Sequence, residues 1–298
     1  MRLRHIEMFN ALMMTGSVSG AAKLINVSQP AVSRMLQHAE VQLGFQLFQR
    51  VRNRLVPTPE AETLFPHVER VFKDLDEVQR VSATLRGGKA VAELRIASIL
   101  TLGHEVIPRA LKLFNAKHPD VGVVIKTFHS PEMLSALLLH EADVGFLYGP
   151  ASHPALLLEE VGQAHIVCVA PKGLLPARAV KKGAISLQEL AGTRVIGVES
   201  TQTLGATISQ ACREAGIAFS TPFTVQTYHA ALALVRHGLG AALVDSCTAL
   251  SADLAEVEVV ALEPAVPVAI LAARPAAAAT SLPARRFTKA VQQVLAGP

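Results

Sequence analysis

The first 44 residues hold three short helical periods separated by residues that stop helices, and this punctuation constrains the fold more than anything else in the chain. Leu3, Ile6, Phe9, Leu12 and Met13 recur at helical spacing, and Thr15-Gly16 ends the run. Ser17 or Ser19 is placed to cap a second helix through Ile25, whose Ala21-Ala22 pair permits close packing. Asn26-Val27-Ser28 then leaves room only for a tight turn. A third helix follows at once, because Ser28 is an N-cap residue and Pro30 falls in the first turn, where its missing N–H costs nothing. Its apolar face is Val32, Met35, Leu36, Ala39 and Leu43, and Pro30, Ser33, Arg34 and Gln37 share the other. Helices joined in this way define a helix-turn-helix.

Gly44 ends the third helix, and Phe45 to Thr58 reads as a hairpin turning at Arg52-Asn53, with Phe48 and Val56 packed inward. Arg50, Arg52 and Arg54 alternate along it at strand period and line one side, as on a wing beside the helix. Charge supports this placement. Residues 1–58 carry seven Arg/Lys against two acids, a net of +5, while the remaining 240 residues carry −1. One small domain therefore faces a polyanion and the rest does not.

The run AAKLINVSQPAVSRMLQHAEVQLGFQLFQR, followed by a basic hairpin and PTPEA, resembles the winged helix-turn-helix of the LysR-type transcriptional regulators. That family's pattern is an Ala-Ala pair, then SQPAxS, then an LExxLGxxLFxR-like tail. Here Ala39-Glu40-Val41-Gln42-Leu43-Gly44 and Leu47-Phe48-Gln49-Arg50 stand at those points. The resemblance extends over the whole chain and implies a sequence-specific DNA-binding regulator. It places Ser28, Gln29, Pro30, Ser33, Arg34 and Gln37 at base edges or adjacent phosphates of the major groove. Arg50, Arg52 and Arg54 would contact the backbone or minor groove.

After Pro57-Thr58-Pro59, the apolar positions Leu64, Val68, Val71, Leu75, Val78 and Leu85 advance in steps of four and three, with Ser82 in the remaining slot. This is a coiled-coil seam of about three heptads, which the resembled family uses as a linker and dimerisation helix. Pro66 is expected to kink the helix or delay its start, and Gly87-Gly88 forms a hinge beyond it.

From Glu93 onward strand-like and helix-like segments alternate. Strands are expected at Leu94 to Ala97, Val121 to Thr127, Val144 to Leu147, Ile166 to Ala170, Leu187 to Leu190, Val195 to Val198, Phe223 to Gln226 and Ala241 to Val244. Helices are expected from Gly103 to His118, Pro131 to His140, Leu204 to Ala215 and His229 to His237. Val257 to Leu262 and Val266 to Ala273 return the chain to the first lobe, and Leu282 to Leu295 closes it. The fold class is thus an N-terminal winged helix-turn-helix, a long linker helix and a two-lobed α/β domain resembling the periplasmic-binding-protein-like effector domain of the LysR type. The expected divisions are 1–58, 59–88 and 89–298, with lobe I at about 89–161 and 266–298 and lobe II at about 162–265.

An enzyme is the rival class, but there is no GxSxG, P-loop, HExxH or GxGxxG after a strand, and the eleven histidines are scattered. Cys168, Cys212 and Cys247 form no CxxC pair, so neither a metal site nor a cofactor is expected. The uncharged stretch Ala215 to Val235 contains Pro222, Gln226, Thr227 and His229 and is no membrane span, and Glu7 and Asn10 interrupt any leader-like segment. A cytoplasmic location follows.

The lobe cleft carries the ligand chemistry. Ser98 and Thr101 in one lobe, and Ser200, Thr201, Gln202 and Thr203 in the other, stand between a strand end and a helix start, where free N–H groups favour a carboxylate. The same hydroxyls also suit plain N-caps. His129 and Ser130 follow the second strand, and Thr227 precedes a helix. Asp245, where many family members carry proline, suits either an ammonium group or the cap of the next turn. Together with Glu199 it resembles the subgroup that responds to opines and basic amino acids. The expected partners are double-stranded promoter DNA, a small-molecule effector, RNA polymerase, and further copies of the chain as a homodimer or homotetramer. The alternative is a ligand-independent repressor or architectural protein with a vestigial cleft.

Overall fold

The computed structural model describes residues 1–51, 54–87, 93–199, 203–276 and 280–297; Arg52, Ser200, Thr201 and Gln202, and the side chains of Arg54, Leu85 and Ser130, lie outside what it describes. Two compact units divide the chain near residue 91. The first contains helices α1 (Leu3–Thr15), α2 (Val18–Leu24) and α3 (Gln29–Leu43), a ribbon of β1 (Phe48–Val51) and β2 (Arg54–Pro57), and helix α4 (Pro59–Gly87).

Local chemistry sets these boundaries. Gly16 ends α1 at φ 61° and Gly44 ends α3 at φ 79°, the left-handed conformation that glycine adopts without strain. The Ser17 and Ser28 hydroxyls accept from the Gly20 and Ala31 amides at the starts of α2 and α3. Gly20 is required by close approach, since a Cβ there would stand 2.8 Å from Thr15 Cβ. Met8, Phe9, Leu12, Ala21, Val32, Ala39 and Leu47 form the buried core.

Two expectations for this unit are corrected. Val56 is exposed at 39%, because the register pairs it with exposed Gln49, while Leu55 packs on the core. The register also pairs Arg50 with Leu55 and Val51 with Arg54, so these two arginines occupy adjacent rungs instead of one side of the ribbon. Helix α4 starts at Pro59 and runs on past Pro66. Pro66 has no N–H for the Glu62 carbonyl, and both residues are exposed, which keeps the missing bond off the core.

The second unit is an α/β domain. Its elements are β3 (Glu93–Ser98), α5 (Leu100–His104), α6 (Val106–Lys117), β4 (Gly122–Thr127), α7 (Ser130–Leu138), β5 (Val144–Tyr148) and β6 (Leu156–Pro171). Then come α8 (Ala177–Lys182), β7 (Ala184–Ile185), β8 (Gly197–Val198), α9 (Thr203–Glu214), β9 (Thr224–Val225), α10 (Tyr228–Arg236) and β10 (Ala242–Asp245). The chain closes with α11 (Ser246–Ala249), β11 (Val257–Leu262), β12 (Pro267–Pro275) and α12 (Leu282–Leu295).

Strand β6, 16 residues long, links the two lobes. Residues up to His165 pair with β12, which also pairs with β5, and residues from Ile166 onward pair with β10 and β11. In the first lobe β3 lies between parallel neighbours β4 and β5, so their connections leave in opposite directions and open a crevice at the C-terminal end of β3. Phe287 of α12 meets Phe114 of α6 and Phe146 of β5 edge-on at 5.6 and 5.8 Å, which seats both helices on this sheet.

The expected helix from Gly103 to His118 is two helices, broken at Glu105. Pro108 has no N–H for the His104 carbonyl, so a continuous helix would lack that bond. Leu187 to Leu190 forms a turn, not a strand, because Ser186 and Glu189 exchange hydrogen bonds that close it and bury both leucines. Helices α8 and α11 and the first half of β6 are additional to the expected elements.

Candidate functional sites

On α3, Ser28, Gln29, Pro30, Ser33, Arg34 and Gln37 are all exposed, as is Arg50 on the ribbon. The opposite face is committed to the core through Val32 and Ala39, so the polar face is free to meet a partner. Two residues outside the sequence-derived site fix its geometry. Glu40 Oε1 accepts from the amides of Leu47 at 2.7 Å and Phe48 at 3.2 Å, tying the recognition helix to the ribbon. Thr58 donates to the Gln46 carbonyl at 2.8 Å and accepts from the Ala61 amide at 3.2 Å, seating α4. Glu40 belongs to the motif quoted for the family, which was its available signal; Thr58 had none beyond its place between two prolines.

The linker positions divide into two groups. Val68 is 3% exposed within the core of its own unit, and Leu64 is half-buried against that core, whereas Leu75 and Val78 are exposed at 40% and 63%. Val71 is half-buried. Of the described positions, the apolar stripe thus serves its own domain first and leaves Leu75 and Val78 uncovered.

In the second unit the cleft-facing strand ends carry the expected groups in unequal roles. Ser98 is fully buried and donates to the Ile99 carbonyl at 3.0 Å, and the Thr101 hydroxyl is buried beside Tyr148. Thr227 caps α10 through the Ala230 amide at 3.1 Å. His129 and Glu199 are exposed. Thr203 borders a cavity of about 950 Å³ that runs along α9 to Pro150 and the Pro264–Pro267 connection between the lobes.

Asp245 is fully buried and occupied by neutral donors. Oδ1 accepts from Tyr148 Oη at 2.6 Å and from the Thr248 amide at 2.8 Å, and Oδ2 accepts from Thr248 Oγ1 at 2.6 Å. The residue therefore caps α11 and ties the end of β5 to the end of β10 across the lobes. Burial, then the Asp245 charge, push the Tyr148 hydroxyl well above its ordinary pKa, so it stays a donor. Tyr148 and Thr248 were not legible as site residues because their roles depend on strand ends brought together from distant parts of the sequence. Burial also raises the thiols of Cys168 and Cys247 to about 12, which leaves them without thiolate character near neutral pH.

A helix-turn-helix unit with a free polar recognition face, joined to a two-lobed domain with a crevice at parallel strand ends, defines a ligand-responsive DNA-binding regulator. Comparison with known proteins gives the family. Residues 3–62 match the bacterial regulatory helix-turn-helix protein model of the lysR family, and residues 87–296 match the LysR substrate binding domain. The chain is 36% identical over 258 residues to the HTH-type transcriptional regulator DgcR of Pseudoalteromonas sp, covering 86% of this chain and 87% of that one. It is 33% identical over 250 residues to the octopine catabolism/uptake operon regulatory protein OccR of Rhizobium meliloti, covering 84% and 82%. The crystal structure of full-length CbnR complexed with its target DNA shares the fold, with a TM-score of 0.56 at 22% identity over 99% of this chain and 100% of that one. The chain belongs to the LysR family: it is a DNA-binding transcriptional regulator with an effector-binding domain. Among the described residues no helix is long and apolar enough to cross a membrane.

Proposed function

We propose that residues 1–58 read a promoter site, that residues 59–88 join copies of the chain into a dimer or tetramer, and that residues 89–298 bind a small-molecule effector that alters the DNA contacts. The observation that carries the DNA reading is the exposed face of α3, where Gln29, Pro30, Ser33, Arg34 and Gln37 remain free while the apolar face is buried. Arg34 is assigned to a base edge, and Arg50, with Arg52 and Arg54, to the phosphate backbone. Arg34→Ala is expected to weaken binding to the specific operator by about 1 to 3 kcal/mol while changing binding to random duplex far less. Equal losses on both duplexes in a titration at fixed salt would remove Arg34 from base reading.

For the effector, we favour a carboxylate-bearing, amino-acid-like molecule. The N-terminus of α9 at Thr203, with the preceding residues 200–202, suits the carboxylate, and Ser98, Thr101, His129, Ser130, Glu199 and Thr227 complete the proposed lining. The buried Asp245, whose partners are neutral donors, supplies negative charge to the cleft floor instead of a direct contact. The octopine operon in the name of the relative OccR agrees with such a class. Octopine itself is the first probe: at about 100 times its dissociation constant, a true effector adds about 2.7 kcal/mol of stability, visible as a thermal shift. RNA polymerase as a partner and a cytoplasmic location belong to the same reading.

A further inference from the structure

Among the described residues, the contacts that join the two lobes of the effector domain along one flank include three that matter here. Besides the Tyr148–Asp245 hydrogen bond, Ser251 Oγ donates to Glu105 Oε1 at 3.3 Å, and the rings of His104 and His229 stack with centroids 3.8 Å apart and planes 28° from parallel. His104 ends α5 in the first lobe and is exposed, so solvent protons reach the pair. Its Nδ1 stands 2.9 Å from the Leu100 carbonyl oxygen; a carbonyl only accepts, so Nδ1 carries a proton and Nε2 is the basic atom. His229 belongs to α10 in the second lobe, and both of its ring nitrogens are buried with no hydrogen-bond partner among the described residues.

The charged surroundings are mixed. The Glu105 carboxylate faces His229 but is already paired with Arg109 at 2.9 Å. Asp245 supplies a second negative charge. Of the other titratable groups on the packed elements, Tyr228 and Arg236 lie on α10 itself, with Arg236 paired to Glu256, and Asp253 and Arg236 line the small cavity that His229 also borders. Cys168 of β6 and Cys247 of α11 are buried thiols, and β8 and β9 carry no ionisable side chain.

We propose that the His104–His229 stack is a proton-operated clasp between the lobes, closed while the buried His229 ring is neutral and opened when acid charges it, so that the regulator takes a proton input beside its effector. A proton on His229 would meet the charges of Asp245 and the partly engaged Glu105, but its buried ring nitrogens have no hydrogen-bond acceptor among the described residues, so the charged ring is better served by leaving the seam. Burial, then His104, lower the pKa of His229 below its ordinary 6.5. Its neutral form is thus the one the closed seam holds, and that contribution is present above about pH 6.5 and lost as pH falls through the lowered value.

Hydrogen exchange on the full-length chain tests the clasp, read on peptides covering α5 and α10–α11 at about pH 8 and about pH 5.5, either side of the histidine range, and corrected for intrinsic rates. In the unmodified protein, protection of these peptides should fall by about tenfold on acidification. His229→Phe keeps a ring against His104 without a titrating nitrogen and should hold its protection at both values. His104→Gln, at an exposed position, gives the same test should the first variant fold poorly. Unchanged protection in the unmodified protein, or an equal acid loss in a folded variant, would overturn the clasp. Because no effector enters the measurement, its failure leaves the effector reading intact.

Discussion

Asp245→Ala is expected to destabilise the effector domain by about 3 to 5 kcal/mol, although the residue is neither an apolar core group nor part of an ion pair among the described residues. The substitution leaves three donors stranded at a site with no exposed surface: Tyr148 Oη, the Thr248 amide and Thr248 Oγ1. Loss of a helix cap alone costs about 1 kcal/mol, and each buried donor left unpaired adds about 1 to 3. The hydroxyl of Tyr148 cannot escape the cost by ionising, because burial holds its pKa well above the ordinary value. In thermal unfolding of the full chain the effector-domain transition should drop by about 6 °C or more, at about 2 to 4 °C per kcal/mol for a domain of this size. Tyr148→Phe removes one donor and leaves the cap, so it should cost about 1.5 kcal/mol or less. If Asp245→Ala shifted the transition no more than Tyr148→Phe does, the carboxylate would not be holding the two strand ends together.

What is legible in the sequence follows the range over which each signal acts. The helix-turn-helix is read almost residue by residue because Ser17, Ser28, Pro30 and Gly44 act on backbone within four positions of themselves. The same locality explains the failures. Ser186 and Glu189 close a turn by a short-range bond that a window of apolar residues reads as strand, and Pro108 breaks a helix whose periodicity continues across the break. The first half of β6 carries Glu159, Glu160, Gln163 and His165 on exposed rungs, and only pairing with β12 makes it a strand. At the cleft, Asp245 was legible as a polar residue at a strand mouth, but its partner Tyr148 lies 97 positions away, and no local pattern encodes that pairing. His104 and His229 looked like two of eleven scattered histidines until the lobes placed them in contact.

In the first unit, Phe9→Ala should cost about 3 to 5 kcal/mol, as large aromatic deletions in cores do. Phe9 is fully buried on α1 and meets Phe48 of the ribbon at 5.9 Å and Phe65 of α4, edge-on, at 6.3 Å. One ring therefore supports the element that follows the recognition helix and the helix that leads to the rest of the chain. Truncation leaves a cavity where three elements converge, and none of them can close it without moving the ribbon relative to α3, to which Glu40 binds it. Small domains hold about 5 to 15 kcal/mol in all, so this loss is a large part of what keeps the DNA-binding unit folded. Specific operator binding should fall with the folded fraction, while the effector-domain transition stays at its wild-type temperature because it belongs to a separate compact unit. Phe9→Leu, which keeps most of the volume, should lose less than half as much. A parallel fall of both unfolding transitions in Phe9→Ala would show that the two units unfold together, and operator binding at full strength would show that the ring does not set the geometry of the recognition face.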